Sequence, residues 1–259
     1  MGIGESIAGL FVQEGAKVVL SSRDEERIDA ARQRIGRSDQ TLAIPCDVRT
    51  REDIERLLSL TLHNFGQVDI WVNNAGYGLA DSIAQMDMHQ CRAMFDTNLF
   101  GAIEGMQVVT PIFIQQGSGT IINISSVAGH IPVPYKGAYS ATKFALNAIG
   151  KAARIELQGT GVNVMTVCPG YIDTNFAHNV VRGNDQRVLS SSLQGRPGPE
   201  IVAQAVLDGY LKGKREVVVP KRDGWVVKAY QIWPGAIERF MRKMIKSEEQ
   251  SKFERAASK

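Results

Sequence analysis

Short runs rich in β-branched residues alternate along this chain with stretches whose apolar residues recur every three to four positions. No other feature restricts the fold as strongly. Lys17–Leu20, Thr41–Ile44, Val68–Val72, Gly119–Ile124, Val162–Val167 and Glu216–Val219 read as six strands. Between them the period is helical. Ile7, Leu10 and Phe11 share a face after Glu5, and Gly15 closes that helix. Asp24–Ile35 is a charged helix, and Arg51–Phe65 turns Ile54, Leu57, Leu58 and Leu62 inward. Two long helices are predicted over Met88–Gln115 and Tyr139–Gly159. Strands separated by helical crossovers pair in parallel and need helices on both faces. The expectation is one α/β domain over residues 1–222, without repeats or linkers, and an aromatic-rich, basic C-terminal extension over 223–259.

The composition, 44% hydrophobic and 22% charged in 259 residues, suits a globular protein with a sizeable core. The formal charge of +3 is too small and too evenly spread to select nucleic acid. No apolar run reaches the roughly 18 residues of a membrane span. Cys46, Cys91 and Cys168 are odd in number and scattered, which points to reduced thiols and a cytoplasmic setting. His63, His89, His130 and His178 show no ligand spacing with cysteines or acids, so no metal is expected. Met1-Gly2-Ile3-Gly4-Glu5-Ser6 fits the N-acylation pattern, but nothing nearby is polybasic. A signal peptide is not the expectation, since a basic start is missing and Glu5 and Glu14 interrupt the apolar stretch.

Tyr139 and Lys143 carry the chemistry. Four residues apart on a helix, they project from one face. At ~4 Å and an effective dielectric near 20, an ammonium is worth about 4 kcal/mol to a phenolate. That is roughly three pKa units, enough to bring a tyrosine of pKa about 10 towards neutrality, where it can exchange a proton with an alcohol oxygen. Tyr-x-x-x-Lys recurs by chance on amphipathic helices; its neighbours give it weight.

Those neighbours are Gly2-Ile3-Gly4, Cys46-Asp47-Val48, Asn73-Asn74-Ala75-Gly76, Asn98, Ser125-Ser126 and Pro169-Gly170-Tyr171-Ile172-Asp173-Thr174. In order and spacing the set resembles the single-domain short-chain dehydrogenase/reductase family over about residues 2 to 220. The resemblance implies a doubly wound parallel sheet of Rossmann type, with a nicotinamide dinucleotide across the strand ends. It implies hydride transfer between NADP(H) and the carbonyl or alcohol group of a small, apolar substrate. Ser126, thirteen positions before Tyr139, would hold the substrate oxygen, and Tyr139 would exchange its proton. Lys143 would depress the phenol's pKa and bond the nicotinamide ribose. Asn98 matches the asparagine whose carbonyl holds a relay water. Gly2, Ile3 and Gly4 would admit the pyrophosphate at a helix N-terminus. Asp47 would accept from the adenine amino group beside Val48, and Asn74, Ala75 and Gly76 would pass the adenosine ribose. Pro169, Gly170, Ile172 and Thr174 belong to the segment that holds the nicotinamide carboxamide. In Leu20-Ser21-Ser22-Arg23, a small hydroxyl stands where NAD-selective members carry an acid, followed by a guanidinium suited to a 2′-phosphate. Ser22 and Arg23 therefore favour NADP(H) over NAD(H).

The family's glycine motif, Thr-Gly-x-x-x-Gly-x-Gly, follows a first strand, and this sequence enters it at the last x. In the order 3-2-1-4-5-6 that strand is central. Without it, two strands keep unpaired backbone groups, each costing about 1–3 kcal/mol if buried unsatisfied. Two readings stay open: a functional protein with roughly ten to twenty more N-terminal residues, enough for one strand and its loop, or a remnant impaired in cofactor binding that serves as a non-catalytic interaction protein. The intact catalytic positions favour the first.

Asn175–Pro199 is lid-like in length, with Phe176, Val180, Val181 and Leu189 as candidate pocket residues. Beyond the last strand come Trp225, Val226, Ala229, Tyr230, Ile232 and Trp233. After Pro234-Gly235, Ile237, Phe240, Met241, Met244 and Ile245 recur at helical spacing, opposite Arg239, Arg242, Lys243 and Lys246. This helix can be a pocket wall, a dimer contact or a membrane-surface helix, and packing on the domain is the expectation. The resemblance also implies a homodimer or homotetramer through the two long helices.

Overall fold

The structure, a computed structural model, describes residues 2–177, 179–183 and 195–243. Its strands are β1 Val18–Ser22, β2 Thr41–Pro45, β3 Ile70–Asn73, β4 Leu79–Ala80, β5 Gly119–Ile124, β6 Val162–Pro169, β7 Val181–Arg182 and β8 Glu216–Val219. The helices are α1 Ile3–Gln13, α2 Glu25–Ile35, α3 Arg51–Phe65, α4 Met88–Phe95, α5 Gly101–Gln116, α6 Gly137–Glu156, α7 Glu200–Leu211 and α8 Lys221–Ile232. Local chemistry sets several ends. The Asp24 carboxylate accepts from the Arg27 N–H at the start of α2, and Gly36 (φ 74°) and Gly66 (φ 82°) supply the positive φ that stops α2 and α3.

β3, β5, β6 and β8 form a parallel sheet in that order, and β1 pairs with β2 in parallel. Neighbouring residues of β5 go to opposite faces. Ile122 and Ile124 meet Ile7 and Phe11 of α1 and Val202 and Val206 of α7, whereas Ile121 meets Val109 and Phe113 of α5 and Ile54 and Leu58 of α3. The fold is a Rossmann-like α/β layer structure with both sheet faces covered.

Among the described residues no strand lies between β1 and β3, as expected of a sheet that lacks its first central strand. The two have not re-paired. α1 packs across the division instead, with Ile7 and Phe11 in the cluster that takes in Val18, Ile70 and Val72, and Ala8 against Leu20 and Ala31.

Three elements depart from the sequence pattern. The helix expected over Met88–Gln115 is interrupted by a π-helical turn at Asp96–Phe100, where Asn98 turns inward to bond the backbone of Tyr77. β4 and β7, two residues each and parallel, are too short to leave a period. α7 was missed, although Val202, Ala203, Val206 and Leu207 repeat at helical spacing and are buried. The C-terminal ends of β3, β5, β6 and β8 lie side by side, and their loops build the site.

Candidate active site

β5 and α6 are fastened together where the chemistry-bearing residues converge. Ser125 N–H donates to Val167 O (2.7 Å), and Ser125 Oγ donates to the Lys143 carbonyl (3.3 Å). Ser126 is extended; its Oγ accepts from Ala128 N–H (3.1 Å), donates to Pro169 O (3.3 Å) and pulls the pKa of the Tyr139 phenol down. The spacing of thirteen residues thus closes into one site. Tyr139 is 9% exposed and Lys143 4%. Lys143 Nζ donates to Ile124 O (3.0 Å) and sits 5.9 Å from the Tyr139 ring centroid. Phe176 packs on the phenol ring at 5.6 Å between centroids.

Asn98 comes to the same place from the π turn. Its Oδ1 accepts from Tyr77 N–H (3.0 Å), and its Nδ2 donates to Tyr77 O (2.8 Å) and Thr142 Oγ1 (3.3 Å). Gly76 fits between: an added Cβ would lie 3.1 Å from Asn98 Oδ1 and 3.5 Å from Lys143 Nζ. Asn98, Gly76, Tyr77 and Lys143 therefore form one packed unit.

Electrostatics departs from the sequence expectation. Burial pushes the Tyr139 phenol up to about 12, against the pull of Ser126, and pushes Lys143 down to about 8. Desolvation disfavours the charged form of each group and outweighs the stabilisation that four-residue spacing suggested. At pH 7 the pair is a neutral phenol beside an ammonium, an arrangement able to donate a proton to an oxygen held at Ser126.

The positions assigned to a dinucleotide are placed differently: they lie at element ends, several of them exposed. Gly2 caps α1 and Gly4 lies in its first turn, with Ser6 N–H to Gly2 O (3.0 Å) as the first helical bond. The N–H groups of Ile3, Gly4 and Glu5 therefore have no intrahelical acceptor. A Cβ at Gly2 would meet nothing within 4 Å, whereas one at Gly4 would lie 2.6 Å from Asn74 Nδ2. The Glu5 carboxylate, which would repel an anion there, is paired with Arg34 at 2.8 Å. Ser22 Oγ accepts from Asp24 N–H (3.2 Å); Arg23 is exposed, with no ion pair among the described residues. The Asp47 carboxylate is held by Arg49 Nε (3.0 Å), which keeps it below the usual carboxylate range. Val48 abuts Gly101, and Asn74, Ala75 and Gly76 are exposed. Gly170 N–H donates to Val219 O (2.8 Å), Ile172 packs with Ile3 on the main core, and Thr174 Oγ1 accepts from Phe176 N–H (3.2 Å). Free N–H groups, an unpaired guanidinium and an open loop fit a phosphate-bearing dinucleotide.

Several neighbours were not legible in advance. Thr142, inside the Tyr139–Lys143 motif, donates to the Tyr139 carbonyl (2.7 Å). Arg49, two residues past Asp47, occupies that carboxylate. The fold also brings His130 Nε2 to 3.4 Å from Cys168 Sγ and 3.5 Å from Glu216 Oε1, a grouping that linear spacing conceals. Of the lid residues, Phe176 and Val180 lie within 3.5 Å of where a Gly78 Cβ would be, Val181 joins β7, and Leu189 lies outside the described residues.

Comparison with known proteins agrees with this architecture. The short chain dehydrogenase family model matches residues 1–185. An uncharacterised oxidoreductase of Staphylococcus aureus is 36% identical over 208 residues, covering 80% of this chain and 85% of the relative. A short chain dehydrogenase/reductase from Burkholderia phymatum, solved in complex with NAD, superposes with a TM-score of 0.81 at 21% identity, covering 91% of each chain. A metagenomic short-chain oxidoreductase in complex with NADP gives 0.69 at 29% identity, over 85% of this chain and 92% of that one. With the fold, the family match and these relatives in agreement, the chain belongs to the short-chain dehydrogenase/reductase family and is an oxidoreductase.

Proposed function

We propose that this protein interconverts a carbonyl and an alcohol on a small, apolar substrate, with NADP(H) as its cofactor and Tyr139 as the general acid/base. The observation that carries the reading is the buried Lys143 ammonium 5.9 Å from the buried Tyr139 ring, with Ser126 pulling on the phenol's pKa. Ser126 Oγ orients the substrate oxygen, and Tyr139 Oη passes its proton to that oxygen or takes it back. Lys143 supplies positive charge next to the phenol and a donor for a ribose hydroxyl. Asn98 and Thr142 hold the Tyr77 loop against α6, and the π turn around Asn98 takes local carbonyls out of ordinary helical pairing, as a relay water needs. Phe176, Val181 and Val133, packed with Tyr139, support an apolar substrate.

The bound nicotinamide supplies or accepts the hydride. Gly2, Ile3 and Gly4 would receive its pyrophosphate, Asn74–Gly76 the adenosine ribose, Asp47 and Val48 the adenine, and Pro169, Gly170, Ile172 and Thr174 the carboxamide end. Exposed, unpaired Arg23 beside Ser22 is what supports NADP(H) over NAD(H). The test is the ratio of kcat/KM for the two cofactors in carbonyl reduction; a clear NADH preference would overturn this assignment. Exposed Phe100, Phe144 and Ile155, on the π turn and the long α6, support self-association there, and three buried free cysteines support a cytoplasmic setting. Residues 1–222 serve as the catalytic and cofactor-binding domain, with 223–259 as an extension.

A further inference from the structure

Several large apolar residues after β8 lie exposed. Trp225 is 72% exposed, Ile232 64%, Trp233 66% and Phe240 60%, while Val227 is the one residue of α8 that is buried. Lys221, Trp225, Lys228 and Ile232, at i, i+4, i+7 and i+11, form a single exposed stripe of α8. Lys228 Nζ lies 5.2 Å from the Trp225 ring centroid. After Trp233 the chain is helical again over 234–243, where exposed Phe240 is flanked by Arg239, Arg242 and Lys243. Tyr230 OH donates to Glu238 Oε1 (3.3 Å), tying the two helices together. Residues 221–243 hold six Lys or Arg and two acids. Asp223 lies against Gly170 and 3.7 Å from Arg222, so Glu238 is the one acid left against Lys221, Lys228, Arg239, Arg242 and Lys243. The outward field is therefore cationic.

We propose that α8 and the 234–243 helix form a docking face for an anionic lipid bilayer. Trp225, Ile232, Trp233 and Phe240 enter the headgroup region while the lysines and arginines meet lipid phosphates. Trp rings and cations on long aliphatic stems are the side chains that settle at a membrane–water boundary. Charge decides against a second copy of the chain, because a two-fold contact would set this cationic face against itself. The helices lie on the bilayer: among the described residues none is long and apolar enough to cross it. Docking also has a consequence for substrate, which rests on the proposed function. Met241 and Arg242 form one wall of a cleft of about 380 Å³, with Ile83 and Pro132–Tyr135 opposite, ending at Gly137 two residues before Tyr139. An apolar substrate dissolved in the bilayer would meet this cleft at the docked face.

The test reads binding, not turnover. The full chain is sedimented with vesicles of phosphatidylcholine alone, or with about 30% phosphatidylglycerol, and tryptophan emission is recorded. Binding to the anionic vesicles with blue-shifted emission is expected, weakening at least tenfold between about 0.1 and 0.5 M salt. Combined Arg239→Glu, Arg242→Glu and Lys243→Glu should weaken it by tenfold or more. Trp225→Ser with Trp233→Ser should lower co-sedimentation with the anionic vesicles by tenfold or more while far-UV circular dichroism is unchanged. Absence of binding to anionic vesicles, or equal, salt-insensitive binding to both kinds, overturns the proposal. So does a double tryptophan variant that turns an oligomer into a monomer while vesicles are ignored, since the face would then be a contact between copies.

Discussion

The half of the site proposed for proton transfer and the half proposed for the nucleotide are built on opposite plans. Ser126, Lys143 and Asn98 each bond the backbone of a neighbouring segment, at Pro169, Ile124 and Tyr77, and Asn98 is 1% exposed. Arg23, Asn74 and Ala75 stand in solvent, the α1 N-terminus is open at Gly2, and the sheet is divided at this side. A substitution in the first half that removes a buried partner, as at Asn98, should disturb the fold as well as the chemistry. In the second half a substitution should alter ligand choice while the fold stays as it is.

The contrast can be tested from its strongest point. Tyr139→Phe should lower turnover by about 10²- to 10⁴-fold, the usual worth of a general acid. NADPH affinity, read by fluorescence titration, should stay within about twofold, since the phenyl ring keeps the packing against Phe176. Joint loss of turnover and binding would mean that the halves are not separable. Asn98→Ala removes the partners of Tyr77 N–H and C=O and should cost about 2–4 kcal/mol, seen as a lower urea midpoint at unchanged slope. The exposed Asn74→Ala should stay within about 0.5 kcal/mol. Equal costs for the two would erase the distinction.

Arg23→Ser should reduce kcat/KM for NADPH by roughly 10- to 100-fold, the worth of charge-assisted bonds to a phosphate, with NADH within about twofold and Tm unmoved. A loss that is the same for both cofactors would show that Arg23 does not read the 2′-position. The smallest effect is in pH. Lys143 has its pKa lowered to about 8 by burial, so its charge is present below that value and lost as pH rises through it. NADPH affinity should fall a few-fold above pH about 8 and be flat for Lys143→Met, whose side chain does not titrate. A wild-type affinity that stays constant through this range would remove Lys143 from the cofactor's environment.

The parallel fold was legible because strand and helix periods differ and each strand of the main sheet is long enough to show its own. The convergence of Ser126, Tyr139 and Lys143 was legible as a spacing, since one helical turn and one strand–helix connection fix it. What escaped depends on contacts between distant parts. The inward turn of Asn98 needs Tyr77, twenty-one residues away, to break a helix that its own period would continue. The sign of the Tyr139 shift needs the depth of burial, which four-residue spacing does not carry. The His130, Cys168 and Glu216 grouping arises only when β6 and β8 lie side by side. The exposure of Trp225 and Trp233 was likewise hidden, because an aromatic-rich period looks the same whether its face is covered or bare.

Among the described residues, β1, α2 and β2 form a leaf that has no ladder to β3. The unit of β1, α2 and β2 is joined to the rest by side chains, Ala8 of α1 against Leu20 and Cys46 against Ile54, and by the Glu5–Arg34 pair, without a ladder to β3. Side-chain contacts give way more gradually than a run of backbone bonds, so this leaf should exchange its amide protons ahead of β5 and β6. Arg23 and Asp47 ride on the leaf, and the catalytic groups sit on the body. A dinucleotide gripping both would act as a brace, adding about 2.7 kcal/mol at a hundredfold excess over Kd. Binding would then tie these two parts of the described fold together.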